Sequence, residues 1–524
     1  MKEQNLITST LILTATSFLT RTMGMISSVF LSQILGAEGI GIYELVMSIY
    51  MTAVVFASAG LCASVSRLVA EALGQKQSTN ITHIMKVTFT FGICSSLLVT
   101  LALIIGAPVL VRYFIHDQSA TTGLRFLALS IPFMTCSSCF KGYFYATKKA
   151  IYPASADILE QLTKVGLLIT LVNLYAPKGI SYAYGAIGIG LTIGEITSWS
   201  YLLALFILDR RHSQPKEDSS LTSKHLFHKL LSILLPIASI SYIGYIFLSI
   251  ENILIPAGLK KFSGTFSDSM SALGILKGMV FPILFFPSAF LTAFSTTLIP
   301  EVAKANVLGN KKRVAYTTNR VLQLTFILSI LVVSIFLTYG NELGFVIYKS
   351  AEIGPLLRLL SLTVPFIYTE VIADGILKGL DQQVSCLKYS LLDAATRIIF
   401  IYFFLPIKGI HALMLIMMMS SILTSTLNFN KLIETTQIKI RPINWLLKPA
   451  IAATFSSTYS RLIIHKLFRY HLGLTSKVCL GIGLSILFYI PLLFLIQTLN
   501  AQDLSWLKKH FSTLKPIRWL KEVQ

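Results

Sequence analysis

Charged residues are scarce in this chain of 524 residues. Only 13% of them are Asp, Glu, Lys or Arg, whereas soluble globular domains carry about 25%. Acidic residues are especially rare, since 23 Asp and Glu stand against 44 Lys and Arg. A chain this poor in charge cannot cover a soluble surface of its size, so the soluble globular class is excluded.

Motifs for ATP hydrolysis, metal binding and redox chemistry are also missing. No GxxxxGK[ST] run occurs, so the sequence has no phosphate loop for an ATP-driven motor. Six cysteines are present, and the only CxxC pair, Cys136 and Cys139, lies in an apolar run without a second pair. The nine histidines show no metal-ligand spacing. We therefore expect no metal, no cofactor and no enzymatic activity.

Apolar sequence is abundant. The chain is 54% hydrophobic and its mean hydropathy is +0.71. Apolar runs of about 20 residues recur along it, each long enough to cross a hydrocarbon core of about 30 Å. The pattern predicts an all-α polytopic membrane protein with about fourteen transmembrane helices. The predicted spans are 9–33, 42–64, 86–110, 123–146, 155–175, 181–207, 231–255, 276–299, 318–339, 356–377, 386–405, 409–430, 444–464 and 478–498.

The basic loops predict the orientation of these spans. Lys and Arg concentrate in the loops that would be cytoplasmic if the N-terminus lies inside, which is the usual bias of membrane proteins. An even number of spans then places both termini in the cytoplasm. We expect the basic loops to attract anionic lipids and not nucleic acid, because no loop is large enough to form a domain. The first span is expected to remain in the protein, because it is longer than the apolar part of a signal peptide and lacks a basic leader.

The sequence repeats itself at a nearly constant offset. The segment "LRFLALSIPF" at 124–133 matches "LRLLSLTVPF" at 357–366, and "GIYE" at 41–44 matches "GILK" at 274–277, both 233 residues later. Six spans per copy is an even number, so the copies are parallel, and parallel lobes suit alternating access to a site between them. The predicted parts are a six-helix lobe at 1–225, a second at 226–433, and two further helices with a basic tail at 434–524.

One ionisable residue lies near the middle of the first span. Arg21 has no acidic residue within four positions, and a guanidinium at the centre of a membrane helix is disfavoured by about 2.5–3.5 kcal/mol on insertion scales. Such a group needs a wet cavity, a ligand, or an acid on another helix. We interpret Arg21 as lining a cavity, with an ion pair to Glu251 as the alternative.

Four further residues complete the predicted cavity. Glu44 and Lys277 hold equivalent places in the two repeats but carry opposite charge. We expect them to approach each other across the outer mouth of the cavity in one conformation. Glu251 and its neighbour Asn252, near the outer end of the seventh span, are predicted to line the same cavity, because polar groups at membrane depth usually face a bundle interior.

Other charges are assigned to gating, ion coupling or structure. Arg67, Glu71 and Glu301 stand at cytoplasmic ends of spans and are candidate gate residues. Glu370 and Asp374, inside the tenth span, are candidates for binding a coupling cation.

Two pairs of opposite charge have the spacing of neighbours on one helix face. Glu160 precedes Lys164 by four positions, and Asp393 precedes Arg397 by four. Side chains at this spacing interact along a helix surface. We therefore expect each pair to neutralise itself, which is a structural role.

These segments resemble a known family. The run "LTRTMGMISSVFLSQILGAEGIGIYELVMSIY", followed by "SRLVAEALGQK", is similar to the polysaccharide-exporter branch of the multidrug/oligosaccharidyl-lipid/polysaccharide flippase superfamily. The resemblance implies a V-shaped bundle with a cationic cavity in a bacterial cytoplasmic membrane, with a groove for a lipid tail in the last two spans. In the lipid II flippases of this superfamily, arginines of the first span line the cavity. Arg21 matches the first of them, whereas the second falls near Ser27 and Ser28.

The resemblance also implies the cargo. It implies a flippase that moves an undecaprenyl-pyrophosphate-linked saccharide, similar to the peptidoglycan precursor lipid II, with a role in spore cortex synthesis. Arginine suits such a cargo, because its guanidinium offers paired planar donors to phosphate and keeps its charge. The expected partners are this lipid-linked oligosaccharide, anionic lipids and cell-wall synthesis enzymes, and we expect a monomer. The alternatives are a cation-coupled multidrug or metabolite antiporter, a membrane enzyme for lipid-linked sugars, and a scaffold.

Overall fold

The computed structural model describes residues 4–75, 78–211, 223–467 and 473–499. In these ranges the chain forms helices and contains no β-strand. The α-helices in chain order are α1 Gln4–Ser58, α2 Leu61–Gly74, α3 Ser78–Leu110, α4 Ala120–Ala128, α5 Ile131–Ala146, α6 Ile151–Tyr175, α7 Ile180–Arg211, α8 Ser223–Ser263, α9 Phe266–Leu273, α10 Phe281–Phe285, α11 Ser288–Val307, α12 Lys311–Tyr348, α13 Ile353–Ser361, α14 Val364–Gly379, α15 Gln383–Thr436, α16 Lys448–Leu467 and α17 Leu474–Leu495. The π-helical segments are Val111–Ile115, Gly274–Val280 and Ile443–Leu447, and Ala176–Lys178 is a 3₁₀ turn.

The described helices are consistent with the predicted number of spans. Ten of them, or eleven if α13 and α14 together form one bent span, are long and apolar enough to cross a membrane. Helices α1 and α15 have 55 and 54 residues, which is about 80 Å at 1.5 Å per residue and more than twice the hydrocarbon core. Each is broken at a glycine with positive φ, Gly36 and Gly409, so each has the length for two spans. Helix α16 occupies the thirteenth predicted span.

The outer face of α3 carries a continuous apolar stripe. Leu98, Leu101, Ile105 and Val109 recur at helical spacing, and their exposed fractions are 69%, 57%, 75% and 56%. A soluble monomer rarely exposes apolar patches of this kind, whereas lipid chains cover them without loss. The stripe agrees with the prediction of an all-α polytopic membrane protein, which the fold confirms.

Two spans are broken at the repeated motif. Helix α4 ends at Ala128 and α5 begins at Ile131, just before Pro132. Helix α13 ends at Ser361 and α14 begins at Val364, just before Pro365, with a bend of 56°. Proline lacks an N–H and favours the first turn of a helix, so the same sequence signal ends one helix and begins the next in both copies.

Left-handed backbone positions recur at the same offset. His116 and Lys349 have φ of 59° and 55°, and they precede α4 and α13. Lys148 and Asp381 have φ of 61° and 59°, and they follow α5 and α14. Both pairs are 233 residues apart, which is the offset of the sequence repeat. Non-glycine residues rarely adopt this conformation, so these recurrences support the predicted duplication.

The repeats contact each other through equivalent glycines. A Cβ on Gly41 would lie 2.0 Å from the carbonyl oxygen of Met270, and a Cβ on Gly274 would lie 2.0 Å from that of Ala37. Each member of one contact is 233 residues from its counterpart in the other. This is the reciprocal pattern that a two-fold axis produces, here between two segments of a single chain. Glycine at both positions allows the backbones to approach this closely.

The described helices group into two compact units. The first unit contains Ala15–Pro282 with Ala394–Leu413, and the second contains Ile283–Asp393 with the described parts of 1–14 and 414–524. The units follow side-chain packing, whereas the predicted division into 1–225, 226–433 and 434–524 follows the sequence repeat, and that division stays a prediction. All residues predicted to line the cavity lie in the first unit.

Helix α8 packs along α2 and α3 within the first unit, and it also contacts the end of α1. The rings of Phe56 and Tyr242 stack with their centroids 4.9 Å apart, and fully buried Leu61, Val65 and Leu230 belong to one apolar core. The beginning of the second repeat is therefore packed against the first repeat. The same packing holds Glu251 of α8 close to α1.

The glycine contact gives a first testable prediction. Gly274→Ala places a methyl group against the Ala37 carbonyl oxygen, where the partner is backbone and cannot rotate away. We expect a loss of about 3 kcal/mol of stability, at the upper end for overpacked sites, measured as a lower thermal unfolding midpoint in detergent. The control is Gly244→Ala on α8, where nothing lies within 4 Å of the added methyl group. Equal midpoints for the two variants would show that the contact is not closely packed in solution.

Candidate functional site

Glu251 is the centre of a charged cluster in the first unit. It is buried on α8, with 3% of its surface exposed. Its Oε2 lies 3.1 Å from Nη2 of Arg397, and its Oε1 lies 3.9 Å from Nζ of Lys277. The carboxylate thus faces two cations. The alternative pairing of Arg21 with Glu251 is not formed in this conformation.

Lys277 is held by a chain of hydrogen bonds. Its Nζ donates to Oδ1 of Asn252 at 2.5 Å, and Nδ2 of Asn252 donates to Oγ of Ser48 on α1 at 2.7 Å. Lys277 belongs to the π-helical segment Gly274–Val280. Segments of this kind are rare in proteins as a whole, and those that occur are often found at functional sites. The extra residue in the turn moves a side chain out of the regular helical register. The predicted cavity residues Glu251, Asn252 and Lys277 are therefore in contact.

Ser28 fixes the same π-helical segment from α1. Its Oγ donates to the carbonyl oxygen of Gly278 at 2.8 Å. The resemblance places a second arginine near Ser27 and Ser28. In this chain that position joins α1 to the segment carrying Lys277, which accounts for a small hydroxyl residue there.

Glu44 lies near this cluster without pairing in it. Its Cγ is 4.0 Å from the place that a Cβ on Gly278 would take, and it is close enough to Lys277 for electrostatic attraction. Among the described residues it accepts no hydrogen bond and forms no ion pair. The approach of Glu44 to Lys277 in another conformation stays a prediction.

Arg21 lies on α1 with an exposed side chain. It makes no hydrogen bond or ion pair with any residue that the structure describes. An unpaired guanidinium at the depth of a mid-span position is stable only against water or an anionic ligand. Its placement therefore agrees with the interpretation as a cavity-lining residue, which stays a prediction.

A cavity of about 400 Å³ borders the cluster. Its wall is mostly apolar and comes from α1, α3, the π-helical segment Val111–Ile115 and α8. Its polar lining residues are Ser48, Thr52, Ser249 and Asn252. The hydroxyls of Thr52 and Ser249 are 2.9 Å apart. The cavity shares Asn252 with the charged cluster, but its apolar wall suits an apolar chain better than a saccharide.

The candidate gate residues are partly described. Glu71 accepts from Nε of Arg67 at 3.1 Å within α2 and pairs with Nζ of Lys229 on α8 at 2.7 Å. The carboxylate thus joins two helices of the first unit. Glu301 belongs to α11, and its side chain lies outside the described residues. The gate assignment stays a prediction for all three.

The candidates for ion coupling lie on α14 in the second unit. Asp374 accepts from Nζ of Lys378 at 2.6 Å, one turn later on the same helix. Glu370 stands one turn before Asp374 and is partly buried. Among the described residues, no group of three or more His, Cys, Asp or Glu has a geometry that could hold a metal ion.

A second buried cluster lies in the first unit between α6 and α7. Nζ of Lys164 is 2.6 Å from Glu160 and 2.8 Å from Glu195. The sequence predicted the first contact from its spacing along a helix, but not the second, which joins residues on different helices. One ammonium therefore bridges two buried carboxylates, and the predicted pair is part of a triad.

Sequence reasoning missed two partners of the main cluster. The spacing predicts only Asp393 as a partner of Arg397, a pairing that stays a prediction, whereas the guanidinium of Arg397 pairs with Glu251, 146 positions earlier in the chain. Ser48 was not singled out at all. The only available signal was that a charge or amide at membrane depth needs a partner, and this does not say which helix supplies it.

Charged side chains held inside a bundle of apolar helices mark a functional site in a membrane protein. The chain belongs to the polysaccharide biosynthesis protein family, whose model matches residues 6–306. Among curated proteins, Stage V sporulation protein B of Bacillus subtilis (strain 168) is 26% identical over 457 residues, which is 86% of each chain. Lipid II flippase MurJ of the same organism is 22% identical over 372 residues, or 67% of each chain.

Solved structures share the fold. The inward closed conformation of lipid II flippase MurJ has a TM-score of 0.68 at 14% identity and covers 93% of this chain and 99% of its own. An inward-facing multidrug resistance transporter of the MATE family has a TM-score of 0.62 at 13% identity, covering 80% of this chain and 94% of its own. The chain is thus a multi-pass membrane protein of the multidrug/oligosaccharidyl-lipid/polysaccharide flippase superfamily.

The bridging lysine gives a second testable prediction. Lys164→Met leaves Glu160 and Glu195 buried side by side without their cation. We expect a loss of about 3–5 kcal/mol, as for other broken buried ion pairs, seen as a lower unfolding midpoint. Adding Glu160→Gln and Glu195→Gln to Lys164→Met should recover part of the loss, because no buried charge then remains unpaired.

The matched control is an exposed lysine of the same unit. Lys178 lies over the ring of Tyr175, 4.8 Å from its centroid, and Lys178→Met should change the midpoint little. A Lys164→Met protein as stable as Lys178→Met would show that the two carboxylates do not need the ammonium.

Proposed function

We propose that this protein is a flippase for an undecaprenyl-pyrophosphate-linked saccharide, moving a lipid II-like peptidoglycan precursor from the inner to the outer leaflet by alternating access. The observation that carries the proposal is Arg21, an exposed arginine at mid-span with no partner among the described residues. The resemblance to lipid II flippase MurJ in sequence and fold supports the same reading.

The chemistry of the cargo accounts for such an arginine. A pyrophosphate that crosses a membrane loses its water and needs compensating charge throughout the passage. A guanidinium supplies two parallel N–H donors to phosphate and stays protonated in a dry site. The polyprenyl tail can remain in lipid while the polar head passes between the lobes. Arg21 is tolerable at its depth because it faces water or substrate.

The topology and setting of the proposal follow from the charge pattern and the relatives. Both termini are placed in the cytoplasm, because the basic loops then face the side where Lys and Arg normally accumulate. The likeness to Stage V sporulation protein B supports a role in sporulation, and within it we propose spore cortex synthesis. Cell-wall synthesis enzymes would then supply and consume the lipid-linked saccharide.

A cation-coupled antiporter fits the described acids less well. Glu251 already faces Arg397 and Lys277, and Asp374 already pairs with Lys378. A carboxylate neutralised by internal cations has little remaining attraction for Na⁺. The fold shared with a multidrug transporter is not specific enough to favour that activity.

The test is flipping by the purified protein in liposomes. Fluorescent lipid II is placed in both leaflets, a membrane potential is supplied, and access of inner-leaflet lipid to an external quencher is timed. We expect wild type to exceed empty liposomes and Arg21→Ala to lose at least about tenfold in rate, as expected when a charged phosphate contact is removed.

The matched control is Arg125→Ala, which removes an exposed arginine from α4 at a predicted outer span end. This variant should flip at the wild-type rate. Folded wild-type protein that leaves lipid II unflipped would reject this substrate, and a normal rate for Arg21→Ala would reject the role of Arg21.

A further inference from the structure

The contacts of Glu251 resemble those of a bound phosphate. Arginine and lysine are the two side chains that commonly bind phosphate oxygens, and here both face one buried carboxylate. Nη2 of Arg397 is 3.1 Å from Oε2, and Nζ of Lys277 is 3.9 Å from Oε1. A carboxylate and a phosphate group compete for such cations because they offer the same kind of anionic oxygen.

The two cations differ in how strongly they interact with Glu251. Arg397 is at hydrogen-bond distance from Glu251, whereas Lys277 is too far for a hydrogen bond to the carboxylate and donates instead to Asn252 at 2.5 Å. Lys277 therefore interacts more weakly with Glu251 than Arg397 does. An arriving anion can recruit Lys277 first, while Arg397 remains neutralised.

Removing the carboxylate without a substitute would be costly. Lys277 and Arg397 are largely withdrawn from water, with side-chain exposures of 15% and 25%, so losing the carboxylate that faces them destabilises the protein. The cluster must therefore hold an anion at every stage, whether or not a substrate is present. Glu251, which is almost fully buried and fixed on α8, can serve as that anion between transport events.

We propose that Glu251 is a resident counter-anion that holds Lys277 and Arg397 in the empty protein and gives them up to the pyrophosphate of a polyprenyl pyrophosphate substrate. The inference rests on the proposed function and adds Arg397 to the substrate site. The exchange keeps charges paired throughout, and it limits substrate affinity so that release remains fast. Glu251 is thus a competitor of the substrate and not one of its ligands.

The experiment measures binding of undecaprenyl pyrophosphate to the full chain in nanodiscs. Glu251→Gln keeps the shape of the side chain and removes its charge. We expect its Kd to fall by at least about tenfold, because two cations are freed from a competing anion, and its flipping rate to fall as release slows. Arg397→Gln should raise the Kd about tenfold, and Arg397→Lys should fall between it and wild type, because the ammonium lacks the paired donors.

Two controls separate competition from structural damage. Glu342→Gln removes a carboxylate that pairs with Arg461 at 3.0 Å in the second unit, and it should leave the Kd unchanged. Undecaprenol, which has no pyrophosphate, should bind all variants alike. If Glu251→Gln does not fold, Glu251→Asp keeps the charge and withdraws it by one methylene, and its Kd should fall to an intermediate value.

The outcomes distinguish this inference from the proposed function. Wild-type binding without a lower Kd in a folded Glu251→Gln or Glu251→Asp variant overturns the role of Glu251 and leaves the flippase proposal standing. Absence of binding by wild type and Glu251 variants alike contradicts both. Binding that appears only when Glu251 is neutralised supports the counter-anion directly.

Discussion

Hydrocarbon offers a charged group neither water nor counter-ions, and the ionisable groups of this protein are arranged around that constraint. Between α6 and α7, one ammonium joins two carboxylates. At Glu251, one carboxylate faces two cations. Arg21 is exposed and makes no ion pair or hydrogen bond with a described residue, which is why it is the strongest indicator of a wet or ligand-filled space. These charges are thus either paired within the fold or exposed to whatever fills the space beside α1.

The charged cluster lies where the two repeats meet, because polar groups from both repeats come close enough there to pair. At the reciprocal contact of Gly41 and Gly274, two backbones approach as closely as glycine permits. Glu44 and Lys277 each stand three positions beyond one of these glycines, on α1 and the π-helical segment. Close backbone approach brings polar side chains of both repeats within reach of one another, and the hydroxyls of Ser28 and Ser48 complete the contacts. Packing and electrostatics are therefore satisfied by the same few residues.

Most of the fold could be predicted, but only part of the site. Apolar runs identify spans because every backbone polar group in lipid must be bonded internally, which makes helices obligatory. The repeated proline motif predicted the duplication, whereas the breaks in both spans at that motif became visible only in the structure. In contrast, the link of Arg397 to Glu251 joins residues 146 positions apart, and local spacing offers no signal for it. Helical periodicity predicts neighbours within one helix and carries no information on which helix lies opposite.

The sequence by itself determined the class of protein, its all-helical membrane fold and the presence of charges that hydrocarbon cannot tolerate alone. These features follow from the composition and from the spacing of residues within single apolar runs. The tertiary structure decided which charges meet, because partners depend on how helices pack and on the re-aimed register of the π-helical segment. It also placed Glu251 with Arg397 and Lys277, and left Arg21 exposed. Which charged groups pair depends on the distance between their side chains, and that distance is set by how the helices pack in the folded protein.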